Sequence, residues 1–538
     1  MPPSAPDSET SGATSTPIDG DPRTPQGESP VSHSSRLGAD RVSRTLASNR
    51  LGVPAVVFFV LSAATPLTVV AGVVTTGFAV TGIIGLPIAF AAIAALLALF
   101  SIGYVAMSRH ITNAGAFYTY VTHGLGRPAG VAAAYMALLA YNLLQVGLYG
   151  IIGVAAAPQL DAWFGISLEW WVIALIAWAI VGFLGVLRID INGTVLAVLL
   201  LAEMAIIIIY SIASLGNPSD GDVSFDALQV GNLFESGAGA ILVLAVLGFV
   251  GFEASVVYSE ESRDPKRTIA LATYISIVVV AAVYVLASWA MTVATGPDNI
   301  VAFSQENADQ TIFVLAGEFL GTTWVDIGSA LFITSVLAAM ISFHNTVARY
   351  VFALGRERVL PSALGRTSPS SGAPVAASIV QSVIGLIVIL VYVLFDLDPL
   401  VQLFFYLGTT GGFGVLTLVA LTSVAVLAFF WRHPSGENAW RRVIAPTLAT
   451  TLLVIVVILA ISNYDILIGV ASDAPERWIL PGLFLIAALI GVVWARFLKA
   501  SRPDVYEAIG RGANAATGIS VLDLSSEEED EPGQPSLR

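Results

Sequence analysis

Between about residue 50 and residue 500 the chain alternates long apolar stretches with short polar ones, and the apolar stretches are too long for a soluble core. A soluble core helix rarely has an apolar run beyond ~14 residues, whereas a membrane-spanning helix needs about 20, and the longer kind recurs along this chain. The pattern predicts twelve spans, at about 53–80, 82–107, 129–157, 168–187, 192–215, 237–260, 269–295, 322–350, 374–395, 399–430, 443–462 and 478–498. The predicted fold class is an all-α integral membrane protein with 12 transmembrane helices.

Charge in the loops tests that count. With both termini cytoplasmic, every Lys and Arg from Arg109 to Arg442 falls in an inner loop or at an inner helix end, and the outer loops carry only Arg477. The outer loops are acidic instead, as in "NPSDGDVSFD" and "DNIVAFSQENADQ". A missed or added span would invert every later loop and destroy the asymmetry.

Composition agrees with the polarity pattern: 56% hydrophobic residues, 12% charged residues and a mean hydropathy of +0.82 lie far from a soluble domain. The net charge of −14 comes in part from the run Glu527 to Glu531 near the C-terminus. Residues 1–48 and 501–538 read as disordered cytoplasmic tails flanking a transmembrane domain at 49–500, and the first tail lacks the apolar core of a signal peptide. The absence of cysteine excludes disulfides, thiolate metal sites and cysteine nucleophiles. Lys266 and Lys499 are the only lysines among 24 basic residues, a usage associated with GC-rich bacterial genomes, so a bacterial plasma membrane is the expected setting.

Glycine and proline show where helices are expected to break, because irregular backbone at membrane depth survives only where it lines a cavity or is buried in protein. Span one contains "LSAATPLTVVAG", with Pro66 at its centre, and span six contains "LGFVGFEAS". The two spans are five helices apart and run in opposite directions. Breaks at equivalent places in two such units point to an inverted-repeat secondary transporter, with repeat one at about 53–215, repeat two at about 237–430 and extra helices at about 443–498. Half-helix N-termini suit a carboxylate and freed carbonyls suit an ammonium group, and an amino acid carries both. The expected substrate-binding residues are Ser62, Ala63, Ala64 and Thr65 in the first break and Gly248, Phe249, Gly251 and Phe252 in the second, with Tyr141 and Gln145 on span three. A kink at Pro66 and close packing at the glycines are the simpler structural readings.

Two acids lie inside spans: Glu253, at the second break, and Glu203, in "LLLAEMAIIIIY" of span five. A charged acid at the bilayer centre costs roughly 2.5–3.5 kcal/mol on insertion scales, which makes both functional candidates. Each is a candidate coupling residue that holds and releases a proton; Glu203 alternatively packs against the first helix, and Glu253 is alternatively a partner for a cationic substrate or a structural hydrogen bond to a neighbouring helix. Ser335, His344, Asn345, Asn142, Thr409 and Thr410 are weaker polar candidates, because a single polar residue in a span more often bonds a neighbouring helix.

These residues resemble the amino acid-polyamine-organocation superfamily of permeases. "GFEASVVYSEESRDPKRTIALATY" is similar to that family's sixth-helix signature, with Glu253, Glu260, Glu261, Pro265, Lys266 and Arg267 in place. "YVAMSRHITNAGAFYTYVTHGLG" resembles the loop after its second helix, and "NTVARYVFALGRERVLPSAL" the end of its eighth helix. The resemblance covers about residues 50–500 and implies a LeuT-like fold, a 5+5 inverted repeat plus two additional helices, with alternating access to a site between the first, third, sixth, eighth and tenth helices. The chain departs from the family in its first break, "SAATPLTVVAG", and in having Glu203 near where some relatives carry a fifth-helix lysine.

The expected function is therefore a permease that moves an amino acid or related amine by proton-coupled symport; a polyamine/amino acid exchanger and a non-transporting amino acid sensor are the alternatives. The partners are the small-molecule substrate, protons and the lipid bilayer, with no nucleic acid, no metal and no cofactor. The chain carries no phosphate-binding loop and no H-E-x-x-H spacing, so it is not expected to be an enzyme. A pocket with few fixed charges favours a neutral substrate, and Glu253 keeps cationic amino acids and polyamines open.

Overall fold

The computed structural model describes residues 51–111, 116–186, 189–368, 372–433 and 436–512; the expected N-terminal tail and the acidic run near the C-terminus lie outside them. Among the described residues the structure is helical, with eleven helices long and apolar enough to cross a membrane and one shorter apolar helix between them. The spanning elements are α1 (Val53–Thr81), α2 (Leu86–Ser108), α3 (Arg127–Phe164), α4 (Trp170–Gly185), α5 (Ile189–Leu215), α6 (Ala238–Val257), α7 (Pro265–Thr295), α8 (Thr322–Arg356), α9 (Val375–Leu394), α10 (Pro399–Arg432), α11 (Trp440–Ser462) and α12 (Glu476–Ser501). They match the twelve expected spans, α4 being the short one.

Burial separates these helices by role. In the most apolar 18-residue stretches of α1 and α6, 94% and 89% of the residues are buried inside the protein, whereas in those of α9 and α12 only 28% and 17% are, and these helices present Ile, Val and Leu outward, as a lipid-facing helix does. The two most enclosed helices are the two that break.

In α1 the regular helix ends at Ala64, and Thr65 takes the left-handed conformation at φ 38°. Pro66 then opens the second half, where a missing N–H costs nothing at a first helical position and the residue before a proline is pushed out of helical geometry. A wide turn follows at Val69–Val74. In α6 the helix ends at Phe249, Gly251 adopts φ +111°, and Glu253 precedes the short second half, Ala254–Val257. A Cβ at Gly251 would stand 2.8 Å from the Ala63 Cβ, so glycine serves both the backbone angle and the close approach of the two breaks.

Helices outside the spans were not foreseen. Ala116–Leu125 follows α2 on the Arg-rich face, and Ile300–Asn307 and Thr311–Leu320 lie between α7 and α8 on the acidic face. The expected tail at 501–538 begins with packed structure: Pro503–Ala508 is helical, and Val505 and Ile509 are buried. Beyond it the N–H groups of Gly510 and Gly512, both at positive φ, each donate to the buried Glu357 carboxylate at 2.7 Å, and Tyr118 Oη bonds the same group. The apolar pair Val505 and Ile509, four residues apart, gives this polar segment a face to bury.

Candidate functional site

Where the two breaks meet, α1, α3, α6, α8 and α10 enclose a cavity of about 60 Å³, room for a few waters. Ala63, Ala64, Thr65, Thr68, Val69, Gly72 and Val73 line it from α1, Leu144 and Leu148 from α3, and Leu244, Leu247 and Val250 from α6. Phe343 of α8 and Phe404, Phe405, Gly408 and Thr409 of α10 complete it. Among the described residues no charged side chain lines this space. The Thr409 hydroxyl is buried against it with no hydrogen-bond partner among the described residues, a donor and acceptor at a largely apolar wall.

Of the residues expected to touch substrate, Ala63, Ala64 and Thr65 line the cavity and the others do not. Successive residues of a helix point about 100° apart, so with Leu244 and Leu247 facing the cavity Gly248 and Phe249 turn away. A Cβ at Gly248 would meet Phe90 at 2.8 Å, and the Phe249 ring packs 6.0 Å from Tyr284. Phe252 packs edge-on to Phe100 at 6.2 Å. Gly251 lies against Ala63, the buried Ser62 hydroxyl has no partner among the described residues, and Gln145, beside the lining Leu144, reaches Tyr149 Oη at 3.5 Å. Tyr141 donates to Glu253 instead of facing the cavity.

Glu253 is fully buried, and its other oxygen accepts the Gly251 N–H at 3.0 Å. The carboxyl thus occupies the amide of its own break, where a free donor for substrate was expected. Glu203 of α5 lies against the Leu67 amide of α1, the first N–H after Pro66 in the second half-helix. Ser335 of α8 donates to Glu203 at 2.7 Å, and Thr68, which lines the cavity, donates to Ser335 at 3.1 Å. A chain of hydroxyls therefore joins the cavity to a buried carboxyl, which the sequence had shown only as separate polar residues.

On the Arg-rich side the cavity is sealed in layers. Beneath the Tyr141–Glu253 contact, Phe59 stacks on Tyr258 at 5.1 Å, and the Arg349 guanidinium covers the other part of that ring at 5.0 Å while pairing with Glu261 at 3.0 Å. Leu51 backbone bonds to Glu261 and Arg263 close the lowest layer. His344 takes no part; its Nε2 lies 2.7 Å from Ser378 Oγ, at the packing of α8 on α9. Among the described residues no cluster of His, Asp or Glu could hold a metal ion.

Residues 51–495 match the amino acid permease family. The low-affinity putrescine importer PlaP of Escherichia coli K12 is 25% identical over 363 residues, 64% of this chain and 72% of the relative. The branched-chain amino acid permease BcaP of Bacillus subtilis is 24% identical over 392 residues, 69% of this chain and 78% of the relative. The human cationic amino acid transporter 4 is 29% identical over a shorter 196 residues, 35% of this chain and 28% of the relative.

Proposed function

The chain belongs to the amino acid permease family, and on that premise we propose that it carries a neutral amino acid across a bacterial plasma membrane by alternating access, driven by protons through Glu203, with both termini cytoplasmic. The observation that carries the coupling is the hydroxyl relay from the cavity through Thr68 and Ser335 to Glu203, whose carboxyl lies against the Leu67 amide.

That amide is the point where proton and substrate compete. An ionised carboxylate accepts a hydrogen bond about twice as strongly as a neutral group, so protonation of Glu203 loosens its hold on the Leu67 N–H. The amide, at the positive end of the second half of α1, then becomes available to a substrate carboxylate. Loss of the proton restores the internal contact and expels the carboxylate. Proton and amino acid are thereby bound together and released together, which is symport.

Substrate choice follows from the wall. Val69, Val73, Leu244 and Leu247 suit an aliphatic side chain, and the lack of a charged lining residue disfavours a second net charge on the substrate. BcaP carries branched-chain amino acids by its name and PlaP putrescine, so labelled leucine and labelled putrescine are the first two probes. In proteoliposomes, leucine uptake that rises when an inward proton gradient is imposed, and that collapses with an ionophore, supports the reading. Uptake that needs preloaded internal substrate and ignores the gradient makes the protein an exchanger, and saturable binding without uptake makes it a sensor.

A further inference from the structure

On the acidic face of the central cavity lies a second recess of about 260 Å³. Phe404 and Gly72 line both spaces, and a Cβ at Gly72 would come within 3.3 Å of the Phe404 ring, so that ring is the partition between them. Thr76 of α1, Tyr406 of α10, and Ser304 and Asp309 of the loop helices enclose the rest. Asp309 follows Ala308, whose φ of 46° is a strained conformation for a residue with a side chain, and that bend joins the two loop helices beside the recess.

The polar groups here lack the partners a structural role would give them. Asp309 accepts one hydrogen bond from the Gln310 side chain at 2.9 Å, and among the described residues no Lys or Arg comes within ion-pair distance of it. Burial raises its carboxyl above the usual carboxylate range, the sign of a negative charge short of compensation. The Ser304 side chain is fully buried and its hydroxyl has no hydrogen-bond partner among the described residues. Asp298 and Glu306 on the same connection add to the negative potential over the opening.

We propose that this recess binds the ammonium group of an amino acid or amine before it enters the central cavity, with Asp309 as counter-ion, Ser304 as hydrogen-bond acceptor and the Phe404 and Tyr406 rings as walls. The identity of the ligand rests on the permease reading; the charge selectivity of the recess does not. Ammonium is the one group that amino acids and amines share, so an entry site that reads it alone admits both and leaves side-chain selection to the central cavity. Phe404 must swing away from Gly72 for the ligand to pass.

The chain has no cysteine, so full-length Thr76→Cys in lipid nanodiscs carries a single reporter thiol in the recess. Its modification is timed with a cationic trimethylammonium methanethiosulfonate and an anionic sulfonate methanethiosulfonate, each normalised to its rate on a free thiol. One unit charge a few ångströms from the thiol gives the cationic reagent an advantage of about tenfold. n-Butylammonium chloride is expected to slow the modification saturably where sodium chloride of equal ionic strength does not, and Asp309→Asn is expected to abolish both the preference and the protection. Val80→Cys supplies a second reporter, because Thr76 also bonds the Gly72 carbonyl at 2.5 Å and its loss perturbs α1. Equal normalised rates in the Asp309 protein, or protection that survives Asp309→Asn, overturn the proposal. Transport is not read in this assay, so a protein that fails to move leucine or putrescine leaves the result interpretable.

Discussion

Glu203 and Glu253 are the same residue type, equally buried at the two helix breaks, yet the surroundings give them different work. Glu203 is linked to the cavity through two rotatable hydroxyls, Ser335 and Thr68, and it lies against the Leu67 amide of α1, in its own repeat. Glu253 is tied to its own loop amide and to Tyr141, and aromatic layers lie between it and the Arg-rich face. A carboxyl with a hydroxyl path can exchange protons with a wetted cavity, whereas one enclosed by its own loop shapes that loop. The contrast teaches that intramembrane burial nominates an acid, and that connectivity to the cavity assigns its role.

The comparison breaks most visibly in transport. Glu203→Gln is expected to lose gradient-driven accumulation by tenfold or more while exchange of substrate across the membrane persists, as read in proteoliposomes with and without a proton gradient. Glu253→Gln is expected to retain gradient dependence; if the two Gln variants behave alike, the division of labour proposed here fails. The next effect is on stability. Glu253→Ala leaves the Gly251 N–H and the Tyr141 hydroxyl buried without an acceptor, at about 1–3 kcal/mol for each group, and is expected to lower the thermal unfolding midpoint more than Glu203→Gln does. Gly251→Ala is expected to cost on the order of 1–3 kcal/mol from its backbone angle alone, with a further cost from the contact with Ala63. Ser335→Ala interrupts the relay without removing the carboxyl, so it is expected to slow proton-coupled uptake several-fold and leave equilibrium binding of substrate nearly unchanged. The smallest effect belongs to Thr409→Val, which deletes one hydroxyl of the cavity wall that has no partner among the described residues and is expected to weaken substrate binding by about twofold, the lower end of what a single neutral hydrogen bond contributes.

The breaks themselves were legible because they are statements about backbone. Pro66 fixes φ and removes a donor, and Gly251 permits a positive φ, wherever the helix lies; both stand where the chain leaves regular geometry. The cavity wall was less legible, since it depends on which face of a helix turns inward. Phe249 and Phe252 sit at the second break as expected, yet their rings join Tyr284 and Phe100 in packing, while Phe404 and Phe405, far along the chain on α10, reach the cavity. Ser335 and Thr409 were visible as polar residues in apolar spans, but only tertiary proximity to Glu203 and to the cavity distinguishes them from ordinary interhelical bonds. The segment after α12 escaped notice because four charged residues between Arg502 and Arg511 mask the apolar pair that anchors it.

That anchored segment has a practical consequence for anyone handling the protein. Gly510 and Gly512 give their N–H groups to Glu357, which ends α8, and Arg127, which begins α3, covers the Tyr506 ring at 5.4 Å. A reporter or affinity handle fused directly after Ser501 removes this clasp and strips the buried Glu357 carboxylate of two backbone N–H donors, leaving Tyr118 to bond it. Fused beyond Gly512, the same handle leaves every one of these bonds intact, so the junction of an expression fusion belongs a dozen residues later than hydropathy alone would place it.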